Sequence, residues 1–240
     1  MFGTGRWRIC VVRTMVNRKQ VNYFSAFALG LVAIGVFRWS SFTFDQLAGA
    51  KELPTILFIV WVSAFGVNLP RVGLNFRRLV LEGRFNPVLH IPIGATAAIL
   101  IVLQGEILAP FWASLFEVSR DLSRFTDATQ TLSGLVLVLI FSWLFAALGE
   151  EIAFRGILMR GLTQAFGGGK TSALIVLVVQ ALVFGLVHAY QGPVGIASAS
   201  ISGIIFGSAV LVSKGNLWSA IFAHGFANSY GFINMWLGSQ

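Results

Sequence analysis

The stretch LVLVLIFSWLFAALGEEIAFR, residues 135–155, decides the fold of this chain. From Leu135 to Gly149 only Ser142 interrupts a run apolar enough for a bilayer. Glu150 and Glu151 then stand side by side, and Arg155 follows one helical turn later. Each charge at the centre of a spanning helix costs about 2.5–3.5 kcal/mol on an insertion scale, so ionisable residues there mark a functional site by default. Spacing separates the two carboxylates. Glu151 and Arg155 are i,i+4 and share a helix face, which predicts an ion pair. Glu150 is offset by about 100° and is left as the carboxylate free to act.

Composition agrees with a membrane protein. Of 240 residues, 56% are hydrophobic and 11% charged, and mean hydropathy is +0.81, too apolar for a soluble globular domain. The net charge of +8 would suit nucleic acid in a soluble chain. Here the basic residues fall in short connections between apolar runs, where they act as topology signals, so no nucleic-acid partner is expected. A single Cys10 excludes an internal disulfide. The basic start leads into an apolar run at Phe24–Phe37 with no clean small-residue cleavage site, which predicts a first span or signal anchor.

Length and apolarity predict an all-α, polytopic helix bundle of about seven to eight transmembrane helices. The seven clearest runs are Tyr23–Phe37, Pro54–Leu69, Pro87–Leu108, Thr131–Leu162, Thr171–Tyr190, Val194–Val212 and Leu217–Leu237. Between the third and fourth, Phe111–Thr131 has apolar residues at helical spacing and reads as an interfacial amphipathic helix or a partial extra span. Residues 1–130 thus comprise a basic arm, about three spans and this interfacial helix, and residues 131–240 form a core of four spans. With the N-terminus cytoplasmic, thirteen Lys and Arg residues, Arg155 among them, fall inside. Only Arg38, Lys51, Arg120 and Arg124 fall outside. That asymmetry predicts a multi-pass protein with a cytoplasmic N-terminus, in the inner membrane if the source is bacterial. The basic arm is expected to lie on anionic membrane lipid.

Two further polar groups interrupt the later spans. Phe184 precedes His188 by one turn and can wall its site, while His224 and Asn228 are i,i+4 and project from one face. A rise of 1.5 Å per residue puts Glu150 about 15 Å from Arg160 and His224 about 15 Å from Lys214, hence level. His188 lies about 27 Å from Lys170 and becomes level only if the Gly167-Gly168-Gly169 loop protrudes. A lone membrane histidine usually bonds a neighbouring helix; two histidines, an asparagine and a free glutamate in adjacent helices favour a reaction site. Gly203 and Gly207 form a small-xxx-small face for close packing. His90 is expected at the interface, and Gln104 near the outer end of its helix.

The three motifs, Glu150-Glu151…Arg155, Phe184…His188 and His224…Asn228, each in its own helix, resemble the CAAX prenyl endopeptidase and bacteriocin-processing (CPBP, or Abi) family of intramembrane proteases. The resemblance covers about the last 110 residues. It implies an endopeptidase acting on a membrane-associated peptide or protein substrate, possibly a prenylated CAAX-type tail. Glu150 and His188 would activate the attacking water, and His224 and Asn228 would stabilise the oxyanion. Glu151, Arg155 and Phe184 would support them. The same Glu150, His188 and His224 also suit zinc with a water as fourth ligand. There is no HExxH sequence, and Asn228 has no place in such a set, so a reaction requiring no cofactor is favoured, with Zn as the alternative. Two other function classes compete. One is a non-catalytic membrane regulator or bacteriocin-immunity protein retaining the protease fold, which loss of a site residue would favour; none is missing. The other is an ion transporter, which needs polar residues threading the bundle from face to face, whereas these cluster at one depth.

Overall fold

The computed structural model describes residues 87–240, which are all helix and connection, with no strand among them. The first two expected spans and the basic arm lie outside the described residues. Helix α1 (Pro87–Phe116) is followed by a short α2 (Ser123–Thr126) and a 3-10 turn at Asp127–Thr129. The long α3 is one unbroken helical run in four pieces: Leu132–Phe141, Ser142–Glu150, Ile152–Met159 and Arg160–Ala165. Then come α4 (Lys170–Val187), a 3-10 turn at Ala189–Gln191, α5 (Gly192–Val212) and α6 (Trp218–Gly238).

Four of these helical segments are long and apolar enough to cross a membrane: Val88–Phe116, Leu132–Thr163, Lys170–Val187 and Ala189–Val212. Helix α6 is as long as α5 but is not among them. His224, Asn228, Ser229 and Asn234 lower its apolarity. The perimeter is oily: Ile99, Leu103 and Ile107 of α1, Val136 and Ile140 of α3, and Val178, Leu182 and Leu186 of α4 are exposed. On a membrane protein such side chains face lipid.

Helix α5 is the most enclosed span, with 50% of its apolar stretch buried against 22–33% for the other three. It packs on α4 and α1, while α1 also runs along α6. Gly203 sets the α4–α5 distance. A Cβ there would stand 2.8 Å from Ala181 Cα, so only glycine allows this approach, as the small-xxx-small spacing predicts. Gly207 likewise lies against Leu177.

Three local features depart from expectation. First, α3 is not a regular α-helix through the site. Ser142–Glu150 and Ile152–Met159 are π-wound, with i→i+5 hydrogen bonding, a rare geometry that is frequent at functional sites. An apolar run reads alike in either winding, so hydropathy could not reveal it. Second, α1 continues to Phe116 and takes in Phe111, Trp112 and Leu115. Glu117 then adopts a left-handed φ of 55° and stops the helix. The amphipathic segment expected over 111–131 is therefore split between the end of α1, a loop, and the short α2 with its 3-10 turn. Third, His90 is buried between α1 and α6 rather than interfacial: it is 1% exposed, and its Nδ1 is 2.9 Å from Ser219 Oγ. Gln104 turns inward too, donating to Ser202 Oγ on α5 at 3.3 Å.

Candidate functional site

Glu151 lies where the two wide stretches of α3 meet, and it is completely buried. Arg155 Nη1 donates to its Oε1 at 2.9 Å, the ion pair that the spacing predicts. The same oxygen accepts from His224 Nδ1, also at 2.9 Å, across from α6. One carboxylate oxygen thus fixes both the guanidinium and the imidazole. Arg155 Nη2 continues to Gly203 O at 3.1 Å, and Gln180 Nε2 reaches that same carbonyl at 2.9 Å. Three aromatic rings enclose the guanidinium, with Phe184 closest at 4.5 Å and Phe206 at 5.0 Å. Arg155 is therefore an interior cation rather than one of the inside charges counted from the sequence.

Glu150 has a different environment. Its side chain is 33% exposed, and its Oε2, itself enclosed, makes no hydrogen bond to the described residues. His224 Nε2 is 4.0 Å from that oxygen. The separation of roles anticipated from spacing is thus a separation of partners: Glu151 is saturated on one oxygen, and Glu150 is uncommitted. Glu150 lies five residues before Arg155, and the wider π turn brings the two nearer one face than an α-helix would.

His188 ends α4 as its C-cap residue, with φ −90° and ψ 12°. Its Nδ1–H donates to Phe184 O at 2.8 Å, which leaves Nε2 as the lone-pair nitrogen. The Phe184 ring touches both this imidazole and that of His224, which puts the two histidines around one aromatic wall. The earlier depth mismatch narrows for a simple reason. Helix α3 continues past Arg160 to Ala165, so Glu150 stands further from the glycine turn than Arg160 alone suggested, against the 18 residues of α4. Gly167, Gly168 and Gly169 all have positive φ and make the reversal at that depth.

Phe184 walls the site as expected. Its ring centroid is 4.6 Å from His188 and 6.1 Å from His224. Phe206 stacks on His224 at 4.7 Å and 18°, with its own centroid 5.9 Å from that of Phe184. Asn228 lies one turn beyond His224 and donates one amide hydrogen to Ser142 Oγ at 3.0 Å. Its second N–H and its carbonyl oxygen have no hydrogen-bond partner among the described residues. Gln180, Phe206 and Ser142 were not anticipated. Gln180 and Ser142 carried a signal, being uncharged polar residues inside apolar runs; Phe206 carried none in a chain with 22 Phe.

The donor atoms do not gather as a metal-ligand set. Among the described residues no group of three or more His, Cys, Asp or Glu is placed to hold a metal ion. Glu150, His188 and His224 share an electrostatic cluster without converging on one point, so no step below is routed through zinc.

All the expected site residues lie in one stretch whose sequence can be compared with known families. Residues 132–230 match the Rce1-like family of type II CAAX prenyl endopeptidases. This Rce1-like segment begins with α3 and ends within α6, enclosing every member of the cluster from Glu150 to Asn228. It agrees with the family resemblance carried by the three motifs. Helix α1 and the loop containing Arg120 precede the Rce1-like segment. No curated protein and no solved structure matches the chain.

Proposed function

We propose that this protein is an intramembrane endopeptidase that hydrolyses a peptide bond in a membrane-associated substrate, prenylated CAAX-type tails being the first class to test. The Glu150 carboxylate carries this reading: it makes no hydrogen bond to the described residues and its side chain is 33% exposed, whereas Glu151 is fully buried and bonded to Arg155 and His224.

Water is held between Glu150 and the lone-pair Nε2 of His188. Its oxygen attacks the carbonyl carbon as its proton passes to Glu150, and the carbonyl electron pair moves onto the oxygen. His224 and the second Asn228 N–H donate to that oxyanion. Since His224 Nδ1–H is committed to Glu151, its Nε2 donates only from the doubly protonated ring, which the two flanking carboxylates compensate. Collapse of the intermediate breaks the C–N bond, and Glu150 returns its proton to the leaving amine. Glu151 and Arg155 orient His224, and Phe184 orients His188 through its carbonyl.

The reaction proposed needs no metal. The N-terminus lies on the cytoplasmic side, supported by the basic residues that remain in the loops after Arg155 is discounted. The test is cleavage of a prenylated peptide by purified wild type and Glu150→Gln protein, before and after exhaustive chelation. Wild type is expected to cleave under both conditions, and Glu150→Gln to cleave under neither while keeping its melting temperature. Full activity in folded Glu150→Gln protein sinks the assignment; loss of wild-type activity on chelation that zinc restores moves the mechanism to a metal. Should the purified protein prove inactive, membranes of cells carrying wild type or Glu150→Gln protein can be compared for accumulated uncleaved substrates.

A further inference from the structure

Gln191 is an uncharged residue in the short turn between α4 and α5, and it is 3% exposed. All four of its polar groups are engaged. Its backbone N–H donates to His188 O at 2.9 Å, and its backbone O accepts from Asp121 N at 3.1 Å. Its side-chain Oε1 accepts from Arg120 Nε at 2.7 Å, and its Nε2 donates to Tyr190 Oη at 2.9 Å. Gly195 on α5 makes the room, because a Cβ there would collide with Gln191 Cβ.

These bonds join two regions that the sequence keeps 71 positions apart. One is the turn that carries His188. The other is the loop after α1, outside the Rce1-like segment. Arg124 of that loop adds a contact, its guanidinium lying 4.7 Å over the Tyr190 ring. Tyr190 in turn lies 5.9 Å from His188, ring to ring. His188 has its backbone carbonyl bound by Gln191 on one side and its ring bound by Phe184 on the other.

We infer that Gln191 is a positioning residue for His188, and that Arg120 holds Gln191 in place, so that the loop before α3 completes the site. This rests on His188 taking part in the proposed hydrolysis, although the geometry it concerns can be read without turnover. Groups that orient metal-bound histidines change activity by about 10–100-fold when removed, and a misplacement of about 1 Å of a reacting group costs about 100-fold, which sets the scale expected here.

The test uses the full chain in lipid nanodiscs, with Gln191→Leu, Arg120→Gln, the double variant, and Asp121→Asn as a control whose side chain accepts from Ser123 N. Each single variant is expected to lower kcat by about tenfold or more with KM within about twofold. The double variant should fall no further than the worse single one, because both act through one contact. A second readout is independent of turnover: nitrogen NMR of histidine-labelled protein, tractable because the chain has only three histidines. Both variants should change the His188 ring signals and leave His224 unchanged. Arg120 is exposed, so its variant remains informative if Gln191→Leu fails to fold. Additive losses, a change in KM alone, or undisturbed His188 signals in folded Arg120→Gln protein overturn the inference. If wild type cleaves nothing while the His188 signals respond as expected, the proposed function fails and the positioning role stands.

Discussion

Replacing Arg155 with methionine leaves Glu151 in a pocket from which water is excluded, with only His224 to balance it. Glu151 is 0% exposed and Arg155 1%, so neither can turn to solvent. Removing one partner of a buried pair costs about 3–5 kcal/mol, because the remaining charge is stranded. The Gly203 carbonyl keeps Gln180 as a donor, so its loss adds little. A double variant, Arg155→Met with Glu151→Leu, removes both charges, and apolar replacement of a whole pair is commonly neutral or stabilising. Its residual defect is the orphaned His224 Nδ1–H, worth about 1–3 kcal/mol. The double variant should therefore be about 2 kcal/mol more stable than the single one. Activity should not follow stability, since His224 has lost the carboxylate that aims it. Denaturant or thermal unfolding in a fixed detergent gives the first quantity, and cleavage of a prenylated peptide gives the second. A double variant as unstable as Arg155→Met refutes the buried-charge account. A double variant that regains activity refutes the orienting role of Glu151.

Asn228→Ala should lower kcat by about 10²–10³ in the peptide assay, the usual loss for one oxyanion donor. Ser142→Ala should cost less, because Ser142 accepts only one of the two amide hydrogens of Asn228. Gly203→Ala should destabilise the protein by about 1–3 kcal/mol in the same unfolding assay, since the new methyl must push Ala181 away and shift the carbonyl that holds Arg155 and Gln180. An unchanged unfolding midpoint would show that α4 and α5 can separate without strain.

What the sequence disclosed about this site follows the range of each interaction. The Glu151–Arg155 pair was legible because four residues along a helix fix proximity. The helices of the second half were legible because apolar runs end at glycines, lysines and polar turns. The bond from His224 to Glu151 spans 73 positions, and nothing local separates it from the alternative of His224 bonding a water or a backbone carbonyl. Arg120 looked like an ordinary loop charge for the same reason: its partner Gln191 lies on a different turn. His90 was placed at the interface by its distance from the basic loop, whereas the hydroxyls of Ser219 and Ser213, 2.6 Å apart, make a polar pocket for it inside the bundle. The π winding left no trace, because its hydrogen bonds are made by backbone that every residue shares.

The adjacent glutamates have a consequence in overall charge. With His224 doubly protonated, the cluster holds two carboxylates, one guanidinium and one imidazolium, so it is neutral as a unit before reaction. Transfer of one water proton to Glu150 makes it a net cation at the moment the neighbouring carbonyl oxygen becomes an anion. A neutral ground state gives a neutral peptide little electrostatic reason to bind, whereas the cationic state attracts the tetrahedral intermediate. In the proposed reaction the attraction is switched on by the same proton that creates the oxyanion, which is the differential stabilisation catalysis requires.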